Sequence, residues 1–169
     1  MELSSSIFKK NLIRKIFSGL IIMGFVISAL SSCRIKEESA GPTDCVRSLL
    51  EAKRDNDIEK YKRLFYYEPE ISLAQTEKGF GVISLTINNI ETSKEKTEWF
   101  INTYTSSELA ESRGWTNEFI SGVIGVIVTY TINYDNNLVP SAEGNLTQTY
   151  FVVSDQSDCW KILEAEFPH

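Results

Sequence analysis

Apolar and polar residues alternate along this chain with two different periods. Between Cys45 and Ala52 the apolar positions are Cys45, Val46, Leu49, Leu50 and Ala52, close to helical spacing, and Arg47, Glu51, Lys53 and Arg54 take the other side. Thr43 or Asp44 is placed to cap this helix, since an acidic or hydroxyl side chain suits the positive end of the helix dipole. Asp55-Asn56-Asp57 predicts a turn. A second helix follows with Ile58, Tyr61, Leu64 and Phe65 on one side, Asp57 as its cap and Pro69 to help end it.

From Ser72 to Gly79 the sequence is polar and irregular. The period then changes to two. Gly81 to Glu91 predicts a half-buried strand, with Ile83, Leu85 and Ile87 on one face and Ser84, Thr86 and Asn88 on the other. Thr92 to Lys96 is a charged turn, and Glu98 to Thr105 fits either a strand or a helical turn. Thr105-Ser106-Ser107-Glu108 matches a capping box, so a short helix should follow, with Leu109 inward and Gly114 as its stop. Phe119 to Tyr134 predicts the longest strand, apolar on both faces at its start and on one face at its end, with Gly122 and Gly125 marking a bend or bulge. Leu146 to Val153 and Cys159 to Phe167 predict two more strands, which makes an antiparallel meander. Helices followed by such a sheet predict an α+β fold.

One stretch has neither rhythm. Ile16 to Ser32 is free of charge and follows Lys9, Lys10, Arg14 and Lys15. It is somewhat short for a span, which needs about 20 apolar residues, and reads as a secretory signal helix. Residues 34–41 are charged and small and predict a tether. The organisation expected is a signal peptide over 1–32, a tether over 33–41 and one domain over 42–169.

Composition narrows the function. The chain has 169 residues, with 17 basic and 23 acidic. Taking away the four basic residues and Glu2 of the first 32 leaves 13 basic against 22 acidic. Such a balance argues against a nucleic-acid partner, which calls for clustered basic side chains. The sole histidine is His169 and no CxxC occurs, so neither a metal site nor a cofactor is expected. Cys45 and Cys159 stand at opposite ends of the domain and are a candidate disulfide pair, the alternative being two buried thiols. The aromatic residues Trp99, Tyr104, Trp115, Tyr130, Tyr134 and Trp160 fall in or beside the sheet half. Tyr134, Tyr130, Trp115 and Trp160 are the candidates for a pocket or binding face, and core packing is the competing role for each.

Leu30-Ser31-Ser32-Cys33 resembles the lipobox of bacterial lipoprotein precursors. The resemblance implies lipid on the Cys33 sulfur and a cell-membrane location on the extracytoplasmic face. The helix opening Pro42-Thr-Asp-Cys-Val46 and the closing strand Asp158-Cys159-Trp160-Lys161-Ile162 resemble the nuclear-transport-factor-2-like (cystatin-like) fold. In that fold a curved antiparallel sheet wraps the amino-terminal helices into a cone. Tyr104 to Ala110, Gly114-Trp115-Thr116 and Tyr134-Asp135-Asn136 are similar to lipoproteins of Gram-positive bacteria that carry this domain. That group implies fold and location rather than chemistry, with a homodimer through the sheet as one arrangement. Enzymes of the fold use a carboxylate or histidine beside a tyrosine. No residue here matches that pattern, because Glu91, Glu164 and Glu166 sit at strand ends or on the polar parity. The expectation is a membrane-anchored, non-catalytic binding domain for a protein or small molecule. The alternatives are a small isomerase or dehydratase-like enzyme using the cone, and an envelope accessory module with a dedicated protein partner.

Overall fold

The computed structural model describes residues 41–135, 137 and 143–168. The described residues fall within one structural unit. The expected signal helix, Cys33 and most of the tether lie outside the described residues. The fold is α+β: helices together with a four-stranded antiparallel sheet in the order β1-β2-β3-β4. Helix α1 (Pro42–Arg54) and helix α2 (Ile58–Arg63) come first, followed by α3 (Leu73–Lys78). Strand β1 (Val82–Ser93) leads into α4 (Lys94–Tyr104), α5 (Glu108–Ser112) and α6 (Asn117–Ser121). Strands β2 (Ile124–Tyr134), β3 (Gly144–Ser154) and β4 (Trp160–Ala165) complete the sheet. Among the described residues no helix is long and apolar enough to cross a membrane.

Period-two alternation in β3 sends its side chains into two separate cores. Tyr150 and Val152 join Cys45, Val46, Leu49 and Leu50 of α1, with Val126, Val128, Tyr130 and Ile132 of β2. Phe151 and Val153 join Phe100, Ala110, Trp115 and Ile120 from α4 to α6. Ile162 and Leu163, adjacent on β4, divide between the two. Full burial of each Val or Leu on α1 contributes about 1.5–3 kcal/mol, so these contacts rather than helix propensity hold α1 in place. Beyond the reach of α4 to α6 the second face turns polar. There Asn88 Nδ2 donates to Thr131 Oγ1 and Asn145 Oδ1, and Asn133 Nδ2 donates to Ser84 Oγ.

Several elements differ from the pattern read in the sequence. Ile83 is exposed, although it shares parity with Leu85. The register of β1 against β2 shifts between Val82 and Ser84 and again between Ile87 and Asn89. Each shift inserts an extra residue, so Val82, Leu85, Ile87 and Ile90 reach the core at spacings of three, two and three. Such bulges bend and twist a strand. Helix α1 opens at Pro42, where the Pro42-Thr43-Asp44 segment places its start, but the N-cap is Gly41 rather than Thr43 or Asp44 and makes no side-chain cap bond. Proline suits that position because its missing N–H would have no partner there.

Ser72 to Lys78 is not irregular. Ser72 and Gln75 form a reciprocal capping box that nucleates α3. Lys94 to Lys96 is the first turn of α4 rather than a loop, with Ser93 Oγ accepting from the Lys96 amide. Glu98 to Tyr104 is therefore helical. The cap of α5 is Ser107 rather than Thr105. That placement buries Ala110 and leaves Leu109 exposed. Thr116 caps α6, so Phe119 to Ser121 is helix, and β2 begins only at Ile124.

Gly122 ends α6, and Gly125 is a point of close approach rather than a bulge. A Cβ at Gly125 would lie 2.8 Å from Lys96 Cβ and 3.0 Å from the Thr97 amide nitrogen. The Gly125 amide donates to Thr97 Oγ1 at 2.9 Å, which seats the start of α4 on β2.

Candidate functional site

The first core does not close completely. Between α1, α2 and the sheet lies a cavity of about 320 Å³. Helix α1 supplies Leu49 and Leu50, with Lys53 one helical turn further along the same face. Tyr61 comes from α2, and Phe65 from just beyond it. Tyr130 and Tyr134 point inward from β2, as do Leu146, Gln148 and Tyr150 from β3, each set at even spacing. Ala165 at the end of β4 and Pro168 after it complete the lining.

The polar part of this lining is a hydrogen-bonded unit. Gln148 Oε1 accepts from the Tyr150 hydroxyl at 2.7 Å and from the Tyr130 hydroxyl at 3.0 Å. Gln148 Nε2 donates to the Glu166 carbonyl at 2.9 Å. The carbonyl fixes the amide orientation: it can only accept, so the nitrogen must face it and the oxygen must face the phenols. Glu166 is in turn held by Lys96 Nζ, at 2.8 Å from Oε2. Among the described residues Lys53 makes no ion pair, and its Nζ stands 5.4 Å from the centre of the Tyr134 ring.

Three of the phenols that line the cavity, Tyr61, Tyr130 and Tyr150, are raised above the ordinary phenol value. Burial pushes the Tyr130 hydroxyl up to about 12, and Tyr134 adds to the effect. Tyr150 is held well above the usual phenol range, first by burial and then by Tyr130, Tyr61 and Tyr134. Burial, then Tyr134, raises Tyr61. No carboxylate is part of the described lining, so its only cation is Lys53 and its only other ionisable groups are phenols. Such a surface can hold a ligand by apolar contact, hydrogen bonds and one positive charge.

The structure separates the sequence candidates. Tyr130 and Tyr134 line the cavity together. Trp115 lies in the second core, where its Nε1 donates to the Tyr67 hydroxyl at 2.8 Å, while Trp160 packs against the edge of the first core. Neither tryptophan lines the cavity. Cys45 and Cys159 are present as thiols. Cys45 Sγ donates to the Trp160 carbonyl at 3.2 Å, so α1 and the start of β4 meet where the two cysteines stand. Among the described residues no group of three His, Cys, Asp or Glu could hold a metal ion.

Lys53, Tyr61, Gln148 and Tyr150 were not among the sequence candidates. Gln148 carried a signal, being a polar residue on the inward parity between Leu146 and Tyr150. Lys53 and Tyr61 carried none, because their convergence depends on how α1 and α2 sit on the sheet. The chain matches no family model, no curated protein and no solved structure.

Proposed function

We propose that this chain is a lipid-anchored extracytoplasmic domain that holds a small molecule without transforming it. The cavity beneath α1 carries the reading: it combines apolar walls, four phenols and one lysine. A non-catalytic role is supported by the chemistry of that lining: the phenols of Tyr61, Tyr130 and Tyr150 are raised by burial, and no carboxylate stands among the described lining residues to pair with them. The nuclear-transport-factor-2-like cone is supported by the helices preceding a meander and by the bulges that bend β1 against β2. The membrane location is supported by the Leu30-Ser31-Ser32-Cys33 motif behind a charge-free run. Two or three acyl chains on Cys33 would hold the domain firmly, at ~0.8 kcal/mol per buried methylene.

Two experiments test these parts separately. Metabolic labelling with a fatty-acid analogue should mark the wild type and not Cys33→Ala; undiminished label on the variant would remove the anchor. For the cavity, the chain is purified from its native membrane and denatured, and the released small molecules are identified by mass spectrometry. A compound should come from the wild type and be lost from Leu50→Trp, which fills the cavity, and from Tyr134→Ala, which opens its wall. Equal release from all three proteins, with circular dichroism showing them folded, would rule the cavity out as the binding site.

A further inference from the structure

The hydrogen-bond polarity of the cavity restricts what it can hold. Tyr130 and Tyr150 both spend their only hydrogen on Gln148 Oε1. What each phenol has left is oxygen lone pairs, which accept. A ligand acceptor placed there would face two oxygens with no hydrogen to share, and the Glu166 carbonyl prevents the amide from turning to relieve this. Lys53 gives the opposite character on the α1 side. It is a cation with no carboxylate among the described lining residues, so an anion there gains a charge-assisted contact. Leu49, Leu50, Phe65, Leu146, Ala165 and Pro168 supply the apolar surface. A volume of about 320 Å³ is at the low end of small-molecule sites. It equals roughly ten waters at ~30 Å³ each, which suits a ligand of about ten to fifteen non-hydrogen atoms.

We infer that the cavity takes a small apolar carboxylic acid with a hydrogen-bond-donating group remote from the carboxylate. The carboxylate lies beside Lys53 and the donor lies against the oxygens of Tyr130 and Tyr150. This rests on the reading of the cavity as a binding site.

The test uses four probes of similar size: para-hydroxyphenylpropanoate, phenylpropanoate, para-methoxyphenylpropanoate and the methyl ester of the first. Affinities are measured by calorimetry on the full chain in phospholipid nanodiscs. The hydroxy acid should bind about tenfold or more tightly than the methoxy acid, which offers only an acceptor, and than the ester, which lacks the charge. Lys53→Met should erase the preference for acid over ester and keep that for hydroxy over methoxy. Tyr130→Phe should do the reverse. Equal affinities for all four probes, abolished by Leu50→Trp, would overturn the ligand class and leave the cavity as a binding site. Tighter binding of the ester or of the methoxy acid would do the same. Binding by none of the four, or binding that Leu50→Trp leaves intact, would overturn both.

Discussion

Replacing Gln148 by leucine should cost stability, and a second substitution should return part of it. In Gln148→Leu the Tyr150 hydroxyl loses its acceptor at 2.7 Å while the residue stays 6% exposed. An orphaned buried donor costs about 1–3 kcal/mol. The Tyr130 hydroxyl faces the cavity, where water can replace the amide, so its loss is a few tenths of a kcal/mol. The Glu166 carbonyl loses one neutral donor, worth about 0.5–1.5 kcal/mol. The total is about 2–5 kcal/mol. Tyr150→Phe alone removes a single bond and leaves Gln148 paired with Tyr130, at about 1 kcal/mol. In the Gln148→Leu background the same change removes the orphaned hydroxyl, so it should be neutral or stabilising. The double-mutant coupling is then about 2 kcal/mol, read from urea midpoints at unchanged slope. Costs that add to within about 0.5 kcal/mol would refute the amide as the shared acceptor of the two phenols.

Three further outcomes follow from other contacts. Gly125→Ala should cost about 1–3 kcal/mol, because the backbone of α4 at Lys96 and Thr97 occupies the space a methyl needs; Gly114→Ala, with φ +68 and open surroundings, should cost only about 1–2 kcal/mol for its left-handed backbone, and thermal melts in which Gly125→Ala matches wild type would show that α4 can lift at no cost. The phenols raised above their ordinary value of 10.0 stabilise the fold below about pH 10, and this is lost as pH rises towards about 12, so alkaline unfolding should begin later in Tyr130→Phe, and coincident alkaline titrations would count against it. Oxidation by glutathione disulfide should couple Cys45 to Cys159 with release of two glutathione thiols, given the approach of Cys45 to the Trp160 carbonyl. The closed loop could stabilise by roughly 4–5 kcal/mol, and an intact mass that keeps both thiols reactive would refute it.

Elements with one dominant period were readable from the chain alone. The apolar positions of α1, and the alternation of β2 and β3, point to the face each actually buries. Difficulty arose where two signals competed. Trp99, Phe100 and Tyr104 suit a strand as well as a helix, and the Ser93 cap decided for α4. Phe119 and Ile120 read as the start of the long strand until Thr116 capped them into α6. Ile83 has the right parity for the core, but a bulge turned it outward, and no local pattern marks which residue a sheet will extrude.

By itself, then, the sequence determined the α+β class, the buried faces of α1, β2 and β3 and the aromatic richness of the sheet half, because those follow from spacing along one chain. It also carried two of the cavity tyrosines, Tyr130 and Tyr134. Tertiary structure alone decided that Lys53 and Tyr61 face them, and that Gln148 spends its oxygen on two phenols and its nitrogen on Glu166. Those partners come from five different segments. A hydrogen bond between segments depends on distance and direction in space, which spacing along the chain does not encode.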